Sequence, residues 1–254
     1  MLNSPLYLNG IGLKRGEVRS FDEYPFSLPA VRKLRNLRLK SPVTFLVGEN
    51  GSGKSTLLEA IASSWGFNPE GGSRNMMFAT RPSESGLHEY LSLERGLKRP
   101  ADGFFLRAES FFNVATEVDK LEMASAYGGK SLHEQSHGES FMALMTTRLR
   151  GDGLYLMDEP EAALSPSRQM SLLALVHRFV GQGAQLIIAT HSPILMAYPD
   201  ARILELGEWG MRPVAYEATE HFTVTRDFLN RYPSMLRALL DESPDRPERD
   251  DRLV

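Results

Sequence analysis

Nine residues in the first quarter of the chain form a pattern that can hold phosphate groups. Residues 48–55 read GENGSGKS, which fits the spacing G-x-x-x-x-G-K-[ST] without a deviation. Glycines let the backbone curl so that successive amides point at phosphate oxygens, and a following helix adds the positive end of its dipole. Lys54 would supply a charge to the β- and γ-phosphates, and the Ser55 hydroxyl would bind Mg²⁺. The predicted nucleotide-binding residues here are Gly48, Glu49, Asn50, Gly51, Ser52, Gly53, Lys54, Ser55 and Thr56.

Two adjacent acids follow a second apolar segment. Residues 154–157 read LYLM and lead into Asp158 and Glu159. If this strand neighbours the strand of the phosphate loop, with the carboxyl ends together, the acids face the loop. Asp158 would then hold Mg²⁺, directly or through water, and Glu159 would orient or deprotonate the attacking water. A domain that only binds nucleotide has no need of Glu159, so the pair favours hydrolysis over a plain turn or helix cap.

The elements that must position these residues are visible as short apolar segments. Residues 43–48, 104–107, 153–157 and 185–190 are mainly apolar without alternation, which is typical of strands buried on both faces of a parallel sheet. Helical periodicity predicts helices at 55–63, 139–150 and 167–180, the last with Met170, Leu173, Val176 and Val180 on one inward-facing side. This alternation predicts an α/β fold, with a mainly parallel sheet flanked by helices. Residues before Val43 are expected to add a small N-terminal antiparallel layer.

The remaining segments suggest one domain with an insertion and a tail. Residues 1–240 are predicted to form a single domain, interrupted by an insertion or lid at about 66–135 with a short helix around 87–97. An amphipathic helix is expected at 222–240. Residues 241–254 hold six acids against three arginines and few apolar groups, which predicts a disordered acidic tail.

Composition excludes several classes of site. The chain of 254 residues has no cysteine, so it has no disulfide, thiolate metal site or cysteine nucleophile. No apolar run approaches the roughly 20 residues that span a bilayer, so we expect no direct membrane insertion and a cytoplasmic location. The net charge of −3 gives no global case for nucleic acid. A dense basic cluster is nevertheless present at Arg32, Lys33, Arg35, Arg38 and Lys40.

These motifs, taken in order, resemble the ABC ATPase superfamily over residues of about 42 to 193. The resemblance is closest to its soluble branch, which includes RecF/SMC-type and small predicted "AAA-family" ATPases. The family carries a Ser-Gly-Gly-Gln/Glu signature before the acidic strand end, and here residues 135–139 read QSHGE. The resemblance implies that Ser136, Gly138 and Glu139 contact the γ-phosphate of an ATP held by a second copy, so that sites are completed only in an ATP-bound homodimer. His137 replaces the usual glycine, and a plain serine helix cap is the structural alternative.

Other positions are interpreted through the same resemblance. Residues 161–165 (EAALS) correspond to the D-loop, and residues 188–193 (IATHSP) imply that His191 touches the γ-phosphate. The glutamine that the family places after the second strand is absent. Glu109 is either its replacement as a Mg²⁺ ligand or an ordinary exposed acid. The aromatic residue that stacks on adenine is one of Phe21, Tyr24 and Phe26.

The resulting hypothesis is Mg-dependent ATP hydrolysis by an ATP-induced dimer that acts as a switch or motor for an unidentified protein partner. One alternative is the ATP-binding subunit of a membrane transporter. Another is a DNA-repair or defence ATPase, supported by the basic cluster, although that cluster also fits a solvated helix face with Val31, Leu34 and Leu37 inward. A small-molecule kinase would share the phosphate loop, but Ser136 and His191 would have no role in it.

Overall fold

A computed structural model describes residues 6–72, 85–108, 137–147 and 149–240 of the chain. Within these residues, nine strands form two sheets. The strands are β1 (Leu8–Leu13), β2 (Asn36–Arg38), β3 (Val43–Val47), β4 (Leu91–Arg95), β5 (Asp102–Arg107), β6 (Gly153–Asp158), β7 (Gln185–Ala189), β8 (Arg202–Gly207) and β9 (Gly210–Val214). The α-helices are α1 (Pro29–Arg32), α2 (Lys54–Trp65), α3 (His137–Thr147), α4 (Pro166–Gly181), α5 (Pro193–Met196) and α6 (Glu220–Leu240). Short 3₁₀ helices lie at Arg15–Glu17, Leu87–Tyr90, Pro160–Ala163 and Tyr216–Ala218.

The larger sheet positions the chemistry, with strand order β5-β6-β7-β3-β8-β9. The first five strands run parallel, and only β9 pairs antiparallel with β8. Every residue of β3, β6 and β7 is buried, as the continuous apolar segments predicted. The predicted α/β fold with a mainly parallel sheet is therefore confirmed.

The strand of the phosphate loop and the strand of the acids are not neighbours, because β7 lies between β3 and β6. We expected the acids to face the loop on the condition that these two strands are neighbours, and that condition is wrong. The register restores the expected placement, since Ala189 of β7 is level with Leu46 on one side and with Asp158 on the other. All three carboxyl ends consequently meet at one edge of the sheet.

The smaller sheet is antiparallel and has the order β2-β1-β4. It confirms the antiparallel layer predicted before Val43. The helix predicted around 87–97 is wrong, because a single 3₁₀ turn is followed by β4. Residues 91–95 read LSLER, and their period of two in apolar character fits a strand better than a helix. The described part of the predicted lid therefore supplies β4 and β5 to the two sheets.

Gln185 ties the two sheets together. Its side chain is 1% exposed. The amide oxygen accepts a hydrogen bond from Leu8 N–H at 2.9 Å, and the amide nitrogen donates to Leu8 O at 2.8 Å. The Gln185 side chain thereby satisfies both buried backbone groups of Leu8, which lies at an irregularity of the sheet. A hydrophobic side chain at this position could satisfy neither group.

The predicted helices are present at 54–65, 137–147 and 166–181, with small differences in their ends. In α4, Ser165 caps the first turn and Pro166 occupies the first helical position. Its buried residues are Leu172, Leu175, Val176 and Phe179. Met170 is 57% exposed, so its predicted inward orientation is wrong.

The expected C-terminal helix is α6, which contains Pro233 and a non-helical Arg231 (φ −135°, ψ 24°). None of its residues is buried against the described part of the chain. Its start is fixed by Thr219, whose hydroxyl accepts a hydrogen bond from Phe222 N–H. Over the described ranges, no helix is long and apolar enough to cross a membrane. The predicted acidic tail at 241–254 lies outside the described residues.

Candidate nucleotide site

The phosphate loop joins β3 to α2, and its glycines adopt backbone angles that other residues rarely reach. Gly48 has φ +140°, and a Cβ atom there would lie 2.4 Å from the carbonyl oxygen of Leu206. Gly53 has φ +95° and immediately precedes the first residue of α2. The loop therefore turns sharply into the positive end of a helix, which is the geometry that binds phosphate.

Lys54 is 4% exposed and folds back over the loop. Its Nζ donates to the carbonyl oxygens of Gly48 at 2.9 Å and Glu49 at 3.0 Å. Burial lowers the pKa of Lys54, while the nearby Glu159, Asp158 and Glu161 raise it. The Ser52 hydroxyl is buried without a hydrogen-bond partner among the described residues. A phosphate oxygen would satisfy this hydroxyl and stabilise the charge on Lys54.

Ser55 and Asp158 meet although they are far apart in sequence. The Ser55 hydroxyl donates to Asp158 Oδ1 at 3.0 Å. Burial raises the pKa of Asp158 to about 6, and Arg107 and the Ser55 hydrogen bond act in the opposite direction. A divalent cation beside this carboxylate would offset the cost of burying its charge. A hydroxyl and a carboxylate are the hard oxygen donors that Mg²⁺ takes alongside phosphate oxygens and water, so the pair fits this ion.

Arg107 is a member of the site that the sequence did not indicate. It ends β5, close to the position where the resemblance leads one to expect a glutamine. Its NH1 donates to Glu59 Oε2 at 2.7 Å, and its Nε lies 3.7 Å from Asp158 Oδ2. Arg107 therefore links the acidic strand end to α2. Glu59 gives no sequence signal because it looks like any acid on a helix.

Glu159 has a left-handed backbone, with φ 50° and ψ 51°. This conformation costs a non-glycine residue about 1–3 kcal/mol and is concentrated at functional sites. Glu159 N–H donates to Ala189 O at 2.9 Å, which anchors the turn to β7. Its Oε1 lies 3.6 Å from His191 Nε2. The Glu159 side chain is 43% exposed, so water can reach it.

His191 follows β7 and is held on two sides. Its backbone N–H donates to Glu161 Oε1, and its ring Nδ1 lies 3.0 Å from His221 Nε2. Burial and Lys54 lower the pKa of His191, and Glu159 raises it. Glu161 and His221 were not predicted for this role. A cavity of about 510 Å³ opens between His191, Glu49, Asn50 and the first turn of α6.

The signature element is described only in part. Ser136 and Glu109 lie outside the described residues. Gly138 is in the first turn of α3, where a Cβ atom would lie 2.9 Å from Ala163 O and 2.3 Å from Arg168 NH1. Glu139 lies on the surface, 3.5 Å from Arg168. A glycine at 138 is thus required for α3 to pack against the 3₁₀ turn that follows the acids.

Of the three aromatic residues considered for adenine, Tyr24 lies beside the phosphate loop. Its hydroxyl is 3.2 Å from Thr56 Oγ1, and the side chain is 63% exposed. Phe26 instead packs edge-on against Tyr90, and Phe21 lies under the guanidinium of Arg15. Tyr24 is therefore the aromatic residue with a free face near the loop.

The basic cluster is exposed but largely engaged within the chain. Only its first part is helical, because α1 ends at Arg32 and residues 36–38 form β2, so the predicted helix face is wrong for Leu37. Arg38 pairs with Glu94, Lys33 donates to Glu208 O, and Arg32 lies 3.8 Å from Asp22. These contacts weaken the case for a nucleic-acid surface.

The chain is similar to several known proteins. A family model described as "AAA domain, putative AbiEii toxin, Type IV TA system" matches residues 125–197, and one described as "AAA domain" matches residues 17–92. The chain is 25% identical over 221 residues to the "Cobalt import ATP-binding protein CbiO" of Salmonella typhimurium, covering 77% of this chain and 82% of that protein. It is 27% identical over 216 residues to the "Cytochrome c biogenesis ATP-binding export protein CcmA" of Rhizobium meliloti, covering 79% and 97%. The solved "SMC head domain from Thermotoga maritima" superimposes with a TM-score of 0.45 at 17% identity, covering 83% and 100%.

The two family matches include the phosphate loop, the acidic strand end and the histidine strand end. Together with the curated relatives, these matches support an ABC-type P-loop ATPase. The predicted superfamily and the prediction of an ATPase are therefore confirmed. The two curated relatives carry transporter names, whereas the sequence resemblance favoured the soluble branch.

Proposed function

We propose that this ATPase works as an ATP-induced homodimer, in which each site is completed by the signature element of the second copy. The observation that carries the site assignment is the meeting of three strand ends around the phosphate loop. There, Ser55 and Asp158 form one pair at 3.0 Å, and Glu159 and His191 form another at 3.6 Å. The first pair suits a Mg²⁺ ion, and the second suits an attacking water and the γ-phosphate.

Each residue has a separate task in this proposal. Lys54, whose Nζ lies over the phosphate loop, binds phosphate oxygens. Ser55 and Asp158 would hold Mg²⁺, which would supply positive charge next to the phosphates. Glu159 orients the attacking water and accepts its proton, and His191 donates a hydrogen bond to the γ-phosphate.

The dimer is the finer part of the proposal. It is supported by the QSHGE signature at 135–139 and by the α3 helix that starts within it. Glu139 is exposed in the first turn of α3, where it lies 3.5 Å from Arg168. Closure upon ATP and reopening after hydrolysis would let the dimer act as a switch for an unidentified protein partner.

A second candidate function is the ATP-binding subunit of a membrane transporter. The observation that favours it is the import and export activity in the names of the two curated relatives. Purification of the tagged chain from its native cells distinguishes the two functions. Stoichiometric recovery of membrane-spanning subunits supports the transporter, and their absence from an ATPase-active preparation contradicts it.

The site assignment is tested by measuring ATP binding and phosphate release separately. We expect Lys54→Ala to abolish tight ATP binding, because the loop then lacks its phosphate charge. Glu159→Gln should bind ATP normally and release phosphate at least about a hundredfold more slowly. Lys40→Ala removes the same charge outside the site and should behave as the wild type. Wild-type ATP affinity in the Lys54→Ala protein contradicts the assignment.

A further inference from the structure

Two histidine rings meet at the edge of the site, and the sequence resemblance accounts for only one of them. His191 follows β7, while His221 lies in the first turn of α6. Their ring centroids are 5.1 Å apart, and His191 Nδ1 lies 3.0 Å from His221 Nε2. This is a hydrogen-bond distance between two nitrogens, so one and only one of them carries the shared proton when both rings are neutral.

The position of His221 is fixed by contacts with the segment that carries His191. Tyr216 donates its hydroxyl hydrogen to Pro193 O at 2.9 Å, two residues after His191. The Tyr216 ring packs on Phe222 with centroids 4.7 Å apart, and the fully buried Thr219 caps the helix. The start of α6 is therefore attached to the strand end of β7, and His221 is held against His191 by neighbours on both sides.

Burial favours neutral rings, and the charged groups around the pair act in both directions. Burial and Lys54 lower the pKa of both histidines, which opposes the effect of Glu159 on His191 and of Glu220 and Glu205 on His221. A neutral imidazole has one donor and one acceptor nitrogen, and the hydrogen bond of one nitrogen sets the state of the other. Two arrangements of protons are then possible.

The free nitrogen of His191 selects between these arrangements. His191 Nε2 is buried, has no hydrogen-bond partner in the described part of the chain, and lies 3.6 Å from the Glu159 carboxylate. If His191 Nδ1 were the donor to His221, Nε2 would present a lone pair to a carboxylate. If His221 Nε2–H is the donor, His191 Nε2 carries a proton and faces an acceptor. The second arrangement avoids the repulsion and aims an N–H group into the site.

We propose that His221 is a positioning residue that donates from Nε2 to His191 Nδ1 and thereby holds the His191 proton on Nε2, where it can bind the γ-phosphate. This inference rests on the proposed role of His191 in ATP hydrolysis. It assigns a function to the first turn of α6, which lies 30 residues downstream of His191. No proton is transferred between the two rings in this arrangement, so the step is purely one of orientation and tautomer.

The test uses substitutions of His221 that differ in whether they reach His191. A glutamine amide reaches the position of His221 Nε2 and can donate there, whereas asparagine is too short and leucine cannot donate. We expect His221→Leu and His221→Asn to lower kcat by about 10- to 100-fold, the range seen when an outer partner of a ligating histidine is lost. ATP affinity and thermal stability should stay near wild type, and His221→Gln should recover most of kcat. His177→Leu removes a histidine that contacts Tyr198 instead, and should leave kcat unchanged.

A second background separates positioning from a general structural effect. In a His191→Ala protein there is no imidazole to orient, so adding His221→Leu should cause no further loss of kcat. An equal loss of kcat from His221→Leu in the wild-type and His191→Ala backgrounds overturns the proposal. The proposal is also overturned if His221→Gln lowers kcat as much as His221→Leu does.

The tautomer of His191 can be measured without ATP hydrolysis, so this inference can be tested separately from the proposed function. With ¹⁵N-labelled histidine, the nitrogen signals of the six imidazole rings report which nitrogen of each ring is protonated. We expect His191 to show the Nε2–H tautomer in the wild type and a mixture of tautomers in His221→Leu. If His191 has the Nε2–H tautomer but the protein has no ATPase activity, the proposed function is contradicted and the role of His221 is not. If an active enzyme has the Nδ1–H tautomer of His191, the role of His221 is contradicted and the proposed function is not.

Discussion

The buried carboxylate of Asp158 should destabilise the protein when neither nucleotide nor Mg²⁺ is bound. Burial raises its pKa from 3.8 to about 6, a shift of about two units, which corresponds to about 3 kcal/mol between the protonated and ionised forms. The folded state holds this proton more tightly than the unfolded state. The stabilisation from Asp158 is therefore complete below about pH 4 and is lost as the pH rises through about 6.

Asp158→Asn removes this titration while keeping the shape of the side chain. The free energy of unfolding of Asp158→Asn minus that of the wild type should rise by about 2 kcal/mol between about pH 4.5 and about pH 7.5. Other ionisable groups are common to both proteins and largely cancel. The measurement is urea unfolding with chelator present, followed by fluorescence of Trp65, which is 5% exposed. Asp22→Asn makes the same substitution at an exposed aspartate outside the site and is the matched control. A difference that is flat or falls with pH for Asp158→Asn refutes the reasoning.

Two further substitutions test the packing and the adenine contact. Gln185→Leu leaves both backbone groups of Leu8 without their partner. It should lower the free energy of unfolding by about 2–5 kcal/mol, measured by urea denaturation. A loss below about 1 kcal/mol shows that the sheets do not depend on this amide. Tyr24→Ala should weaken ATP binding by about tenfold while Tyr24→Phe stays near wild type, because stacking needs the ring and not the hydroxyl. Equal affinity of the alanine and wild-type proteins in a fluorescence titration excludes Tyr24 as the adenine contact.

The parts of the site that the sequence predicted are those whose signal is local. The phosphate loop is read from one unbroken spacing, and the acids and His191 each end a continuous apolar strand. The strand order could not be read in this way, because nothing local states that β7 inserts between β3 and β6. The acids reach the loop through register and not through adjacency of strands.

The missed residues act through contacts between distant segments. Arg107 and Glu59 meet across 48 residues, and His221 meets His191 across 30. Each side chain alone looks like an ordinary polar residue on its element. The helix predicted around 87–97 failed because its apolar residues alternate, and pairing with β1 then determined the structure.

The central claim, a dimer that closes on ATP, is tested most directly by light scattering of the Glu159→Gln protein with and without Mg·ATP. This variant should bind ATP without hydrolysing it, so the closed state should accumulate. We predict a change from monomer to dimer with ATP, and no change when Lys54→Ala is added to the same protein. A Glu159→Gln protein that binds ATP yet stays monomeric at saturation contradicts the shared site, and the chain would then hydrolyse ATP only with another protein or by a site of its own.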